Sequence, residues 1–255
     1  MEVRAYLERI GYGESQAPTI ETLRQLHRAH LLAVPFENLD IPLGSPIVLS
    51  LPALYDKIVC RGRGGFCYEL NGLFGWLLEQ LGFPVTLLSA RVFNGRQPGP
   101  EFDHLLLLIE TEAGWIADVG FGDSFLEPLG LTQAETMQQG RTYRLVGPDT
   151  AKVLQRRSAT EWEPQYVFSL TPRRLADFNT LCHHQQTAST SAFTQKAVCS
   201  RATQQGRITL SNNRLIVTTA GQREEHAIAT EAEYQTLLRQ HFGISLGKPL
   251  KMWRH

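Results

Sequence analysis

Three residues of this chain have the types that covalent acyl chemistry needs: Cys67, His104 and Asp118. Cys67 follows a glycine-rich run, Arg61-Gly-Arg-Gly-Gly-Phe-Cys67, and precedes an apolar pattern at helical spacing: Leu70, Leu73, Phe74, Leu77, Leu78 and Leu81. The pattern stops at Gly82, a residue suited to a helix C-terminus. Cys67 is therefore expected in the first turn of a buried helix, where unpaired N–H groups and the positive dipole end favour thiolate. A small, inert core residue is the other use of a free cysteine, and position alone does not separate the two.

A nucleophile needs a base. His104 opens the run His-Leu-Leu-Leu-Leu-Ile109, which reads as a strand, and Trp115-Ile-Ala-Asp-Val119 reads as its hairpin partner across Glu110–Gly114. With the turn centred on residue 111 or 112, His104 and Asp118 share a face, either opposite or diagonal. Asp103 points to the other face. An aspartate in an apolar strand is costly unless it is paired. One reading is a satisfied core His–Asp pair; the other is that Asp118 orients His104, and His104 takes the proton of Cys67. Spacing leaves open whether Cys67 meets His104.

The elements around these residues change period along the chain. The first third is helical: Val3, Tyr6, Leu7 and Ile10 form one stripe, and Ile20 to Val34 a second that ends at Pro35. Ser50 is placed to cap a short helix through Tyr55 and Ile58. The middle third alternates, with strands expected at 85–92, 104–109, 115–119, 143–146, 152–156 and 166–170, suggesting an antiparallel sheet closing toward a barrel. Near the end, strands at 207–210 and 215–219 flank the turn signal Asn212-Asn213. Thr230-Glu-Ala-Glu233 is a capping box opening a helix stopped by Gly243. Boundaries near residues 84 and 192 follow, giving segments 1–84, 85–192 and 193–255.

Four segments in order resemble the arylamine N-acetyltransferase family, bacterial type: Val34-Pro-Phe-Glu-Asn-Leu39, Arg63-Gly-Gly-Phe-Cys-Tyr-Glu-Leu-Asn71, His104-Leu-Leu-Leu, and Asp118-Val-Gly-Phe-Gly122. The resemblance implies an α+β fold: an N-terminal helical bundle carrying the nucleophile, a central antiparallel β-barrel carrying His and Asp, and a C-terminal α/β lid around a cysteine-protease-like core. It implies Cys67 as nucleophile, His104 as general base and acid, and Asp118 as orienting carboxylate. Phe121 and Phe125 match positions lining the acceptor pocket, and Phe36 and Val92 are looser candidates for it. The implied reaction is ping-pong N-acetylation of an arylamine or arylhydrazine, with acetyl-CoA as donor co-substrate. A macrolactam-closing amide synthase shares the triad. A Cys–His–Asp hydrolase or transglutaminase-like enzyme and a non-catalytic ligand-binding protein are the rivals outside the family. The segment Thr180–Phe193 follows the family pattern only partly, and the CoA contacts are not assigned.

The whole chain bounds the reading. It has 255 residues, 42% apolar content and zero formal charge. This balance argues against nucleic acid and against a polybasic membrane surface. No apolar run approaches the ~18 residues of a membrane span. The start, Met-Glu-Val-Arg-Ala-Tyr6, lacks the pattern of a signal peptide. Cys60, Cys67, Cys182 and Cys199 show no C-x-x-C spacing. A cytoplasmic monomer or weak homo-oligomer is expected. Cys182-His183-His184 are consecutive and do not converge on one ion, so no metal is expected. Gly62-Arg-Gly-Gly65 lacks the Lys-Ser/Thr of a phosphate loop; Arg61 or Arg63 is expected to pair with a buried carboxylate such as Glu69, and His27 and His30 to be partly buried surface residues.

Overall fold

The computed structural model describes residues 1–158 and 160–250. Its helices are α1 (Val3–Arg9), α2 (Ile20–Ala33), α3 (Asp40–Leu43), α4 (Leu51–Tyr55), α5 (Cys67–Gln80), α6 (Asn179–Thr187), α7 (Ala192–Gln195) and α8 (Glu231–Phe242). Helix α5 is apolar all round, and every residue from Cys67 to Leu78 is buried. A helix of that kind can only run through a core. It starts where the glycine loop ends, and Gly82 just beyond it takes φ +86°, the left-handed conformation that ends helices. A single π-turn, Asp56–Cys60, continues α4 and leads into the glycine loop.

Fourteen strands form two main sheets among the described residues. The larger is antiparallel and makes a nearly closed barrel: β2 (Val85–Asn94), β4 (His104–Ile109), β5 (Trp115–Ala117), β6 (Leu129–Gly130), β7 (Thr136–Gln138), β8 (Arg141–Val146), β9 (Lys152–Arg157) and β10 (Trp162–Phe168), with the short β3 (Gln97–Pro98) on β2. The second sheet joins β1 (Phe36–Glu37) to β11 (Val198–Thr203), β12 (Gly206–Ser211), β13 (Arg214–Thr219) and β14 (Gln222–Ala227). Strand β1 thus hydrogen-bonds into the C-terminal sheet, Phe36 opposite Ser200.

Strand β4 explains its own unalternating sequence. All six residues are buried, because both faces are covered. Leu105, Leu107 and Ile109 pack with α5 in the helical core, whereas Leu106 and Leu108 face the barrel interior. In the β4–β5 hairpin Leu107 pairs with Ala117. This is the diagonal of the two expected registers, and it puts His104 and Asp118 on the barrel side. Strand β5 stops at Ala117, one residue before Asp118. The last barrel strand begins at Trp162, earlier than expected, and β11, β14 and α6 carry weaker sequence signals than their neighbours. Thr230 accepts from Glu233 N at the start of α8, but the Glu233 carboxylate turns to Ala229 N instead of closing the box on Thr230.

Candidate functional site

The glycine loop and the start of α5 place Cys67 at the mouth of a cleft. Gly64 is a packing requirement: a Cβ there would lie 2.0 Å from the Pro35 carbonyl oxygen. Beneath the loop lies a buried ion network. Lys57 Nζ reaches Glu69 Oε1 and Asp40 Oδ2, both at 2.8 Å. Arg63 donates to Glu37 Oε1 at 2.9 Å and to Asp40 Oδ1 at 3.1 Å. Glu69 in turn accepts from the Phe66 N–H at 3.1 Å, fixing the residue before Cys67. The expected pairing with a buried carboxylate holds for Arg63, through Glu37 and Asp40 instead of Glu69; Glu69 pairs with Lys57, and Arg61 with the exposed Asp56. The network holds three acids and two bases. Burial pushes the Glu69 carboxyl up to about 7 against the pull of Lys57.

His104 and Asp118 meet as the hairpin register requires. His104 Nε2 donates to Asp118 Oδ2 at 2.8 Å, and both side chains are almost fully buried. Asp118 Oδ1 accepts from Asn71 Nδ2 at 2.9 Å and from Gly120 N at 3.0 Å. Burial works to raise the Asp118 carboxyl, but the His104 charge and these hydrogen bonds overcome it and hold the carboxyl low. With Nε2 committed to Asp118, Nδ1 is the nitrogen left to take a proton. Cys67 Sγ lies 4.0 Å from the Asp103 carbonyl oxygen, at the strand position before His104. A Cβ on Gly120 would lie 2.7 Å from Cys67 Cα and 2.7 Å from Asn71 Nδ2, so only glycine lets the Asp118 strand approach α5 this closely.

The thiol itself departs from the expectation of the helix end alone. Burial pushes Cys67 up, the Leu105 backbone opposes this by a hydrogen bond, and the carboxylates of Asp103 and Asp118 push up again.

Three supporting residues lie outside the sequence-derived triad. Asn71, one helical turn after Cys67, donates to Leu105 O and Asp118 and accepts from Val119 N. Its position at i+4 was the available signal. His27 and His30 are fully buried, not surface residues. His27 Nε2 accepts the Asp118 backbone N–H at 3.0 Å while Nδ1 donates to Leu126 O at 2.7 Å. Burial pushes His27 down to about 4, so it is neutral in this role. The Tyr166 ring packs 5.3 Å from His104; burial and the nearby Asp118 charge push its phenol up.

The cleft over Cys67 and His104 has a volume of about 570 Å³. Phe36, Val92 and Phe121 line it, joined by Phe193 and the α6 residues His184 and Gln185. Phe121 stands 5.2 Å from the His104 ring. Phe125 does not join this wall. It is 1% exposed and stacks on His27 at 5.7 Å, behind the His–Asp pair. The sequence pattern of α6 gave no clue to its part in the cleft, because its contact with the site is purely tertiary. Cys182 is buried in the helical core, and no group of three His, Cys, Asp or Glu able to hold a metal occurs among the described residues. No helix among them is long and apolar enough to cross a membrane.

Comparison with known proteins gives a consistent answer. A family model described as N-acetyltransferase matches residues 19–251. The chain is 35% identical to an arylamine N-acetyltransferase of Mycolicibacterium smegmatis, covering 97% of this chain and 93% of that protein. It is 33% identical to proansamycin X synthase of Amycolatopsis mediterranei, covering 93% and 95%. Among solved structures, the Mycobacterium marinum arylamine N-acetyltransferase in complex with CoA superposes with a TM-score of 0.87 at 33% identity, covering 95% of this chain and 93% of that one.

Proposed function

Because the chain belongs to the arylamine N-acetyltransferase family, we propose that it moves an acetyl group from acetyl-CoA to an aromatic amine or hydrazine through an acetyl thioester on Cys67. The observation that carries this reading is a nucleophile at a helix start and a carboxylate-held histidine opening onto one aromatic-walled cleft. In the first half-reaction Cys67 passes its proton to His104 Nδ1 and its sulfur attacks the thioester carbonyl. The first N–H groups of α5, which have no partner within the helix, are the donors for the tetrahedral oxyanion. The C–S bond to CoA breaks, and the CoA sulfur leaves with the proton from His104. In the second half-reaction the amine nitrogen attacks acetyl-Cys67. It gives a proton to His104, and the Cys67 thiol is restored as the amide departs.

The acceptor class follows from the cleft and from amine chemistry. Phe36, Phe121 and Phe193 offer a flat apolar wall, and ring stacking is worth about 0.5–1.5 kcal/mol beyond area burial. An amine on an aromatic ring is neutral at pH 7, whereas an alkylamine is mostly protonated and unable to attack. The relative named proansamycin X synthase favours a second reading, in which the acyl group comes from a bound polyketide thioester and the amide closes a ring.

Intact-mass measurement after adding acetyl-CoA without acceptor separates these readings. The expected result is one added acetyl group, mapped to the peptide of Cys67 and discharged by an arylamine. Acetylation at Cys60, Cys182 or Cys199 instead, or no adduct at all, rejects the proposal.

A further inference from the structure

Beyond the Phe121-Gly-Asp123 turn from the Cys67 cleft, a second cavity of about 710 Å³ opens between the barrel and the C-terminal sheet. Three hairpin turns contribute to its rim: Gln139-Gly140 between β7 and β8, Gln204-Gln205 between β11 and β12, and Ala220-Gly221 between β13 and β14. Arg141 comes from the barrel and Arg207 from the C-terminal sheet. Both converge on one oxygen of Asp123: Arg141 Nη1 donates to Oδ1 at 2.6 Å and Arg207 Nε donates to it at 3.0 Å. Arg156 stands 3.8 Å from the other Asp123 oxygen and 3.8 Å from Glu163. Positive charge therefore exceeds negative charge in the cavity wall. Arg207 is only 14% exposed; burial works against its charge, and Asp123 offsets that only in part. The Ser124 hydroxyl, in the same wall, is buried without a hydrogen-bond partner among the described residues.

Each guanidinium has five N–H groups in a planar fork, and two forks present more donors than one carboxylate can accept. A phosphate, with three terminal oxygens and up to two charges, matches that surplus better than a carboxylate. The volume accommodates a nucleotide-sized molecule. We propose that this cavity is a binding site for a phosphate ester gripped by Arg141 and Arg207, with Asp123 holding the two forks in register until the ligand shares them. The phosphate can belong to the CoA donor or to a separate phosphorylated metabolite, and the two sources are experimentally distinct.

Calorimetric titration of the full chain with adenosine 3′,5′-bisphosphate and with inorganic pyrophosphate tests the site without turnover. Arg207→Gln and Arg141→Gln should each weaken binding about tenfold or more, the size of a lost hydrogen bond to a charged group. Asp123→Asn removes the competing carboxylate and should tighten binding. A purely structural clasp predicts no such gain. Unfolding curves of each variant verify that it is folded. Kinetics then assign the source, an arm that rests on the acetyl-CoA reading. A raised KM for acetyl-CoA in Arg207→Gln, with an unchanged rate from a phosphate-free acetyl thioester, assigns the phosphates of CoA. Lost pyrophosphate binding with an unchanged KM assigns a separate ligand. If wild type binds neither probe at millimolar concentration, or if folded Arg207→Gln binds them equally well, the site does not exist.

Discussion

At the scale of single residues, the chemistry turns on where one proton sits. Burial and two carboxylates oppose a Cys67 thiolate, and in the proposed mechanism it is His104, held by Asp118 at 2.8 Å, that activates the sulfur. His104→Gln should therefore do more than remove a base: it should leave an ordinary buried thiol. Iodoacetamide alkylation of Cys67 at pH 6–7, mapped by peptide mass to exclude the exposed Cys60, should be at least about tenfold slower in the variant, because less of the sulfur is thiolate. Equal rates would show that His104 does not activate the sulfur. The two phenylalanines flanking Gly122-Asp123-Ser124 separate in the same way. Phe121 faces the cleft and Phe125 faces His27. Phe121→Ala should lower kcat/KM for arylamines with little change in enzyme acetylation. Phe125→Ala should instead cost stability, about 3–5 kcal/mol for a buried ring. Measuring both half-reactions and a denaturant midpoint for each variant decides the assignment.

At the scale of elements, three segments converge on Asp118. Helix α5 brings Asn71, strand β4 brings His104, and α2 brings His27 to the Asp118 backbone N–H. The α2 contact depends on a neutral imidazole, and this sets an acid limit. The folded His27 value, about 4, lies below its ordinary 6.5, so between these values the unfolded chain binds more protons. The contribution is complete above pH 6.5 and is lost as pH falls toward 4, on the order of 3 kcal/mol. His27→Asn should be less stable than wild type at pH 7 yet lose less between pH 6.5 and 4. Parallel stability curves for the two proteins over that window would point to another acid-labile group.

At the scale of the whole molecule, the C-terminal sheet is tied to the nucleophile segment through β1. Asn38, just after β1, donates to Phe193 O and Lys196 O and accepts from Val198 N. These bonds hold Phe193 against Phe66, the residue before Cys67, at a ring distance of 5.5 Å. Asn38→Ala should destabilise the fold by about 2–3 kcal/mol, since three hydrogen bonds are lost. It should also raise KM for the acceptor, because one wall of the cleft is released. A stability loss with an unchanged acceptor KM would uncouple the sheet from the site. The same sheet carries Arg207 to Asp123, so the second cavity lies where the barrel and the C-terminal sheet meet.

The sequence alone determined those features whose signals are local. The start of α5 at Cys67, its end before Gly82, the β4 strand and the shared face of His104 and Asp118 follow from period and turn residues, because helix and strand geometry repeat every 3.6 and 2 residues. The four motifs carried the family. Only tertiary structure decided which partners those residues meet. His27 lies 91 positions from Asp118 along the chain, and nothing local marks it as buried. Phe121 and Phe125 look alike in sequence, yet the turn between them sends one to the cleft and the other behind it. The buried network paired Glu69 with Lys57, not with an arginine of the adjacent loop, because the π-turn brings Lys57 beneath the helix start. Pairing among buried charges is set by which side chains converge in space, and chain position does not encode that convergence.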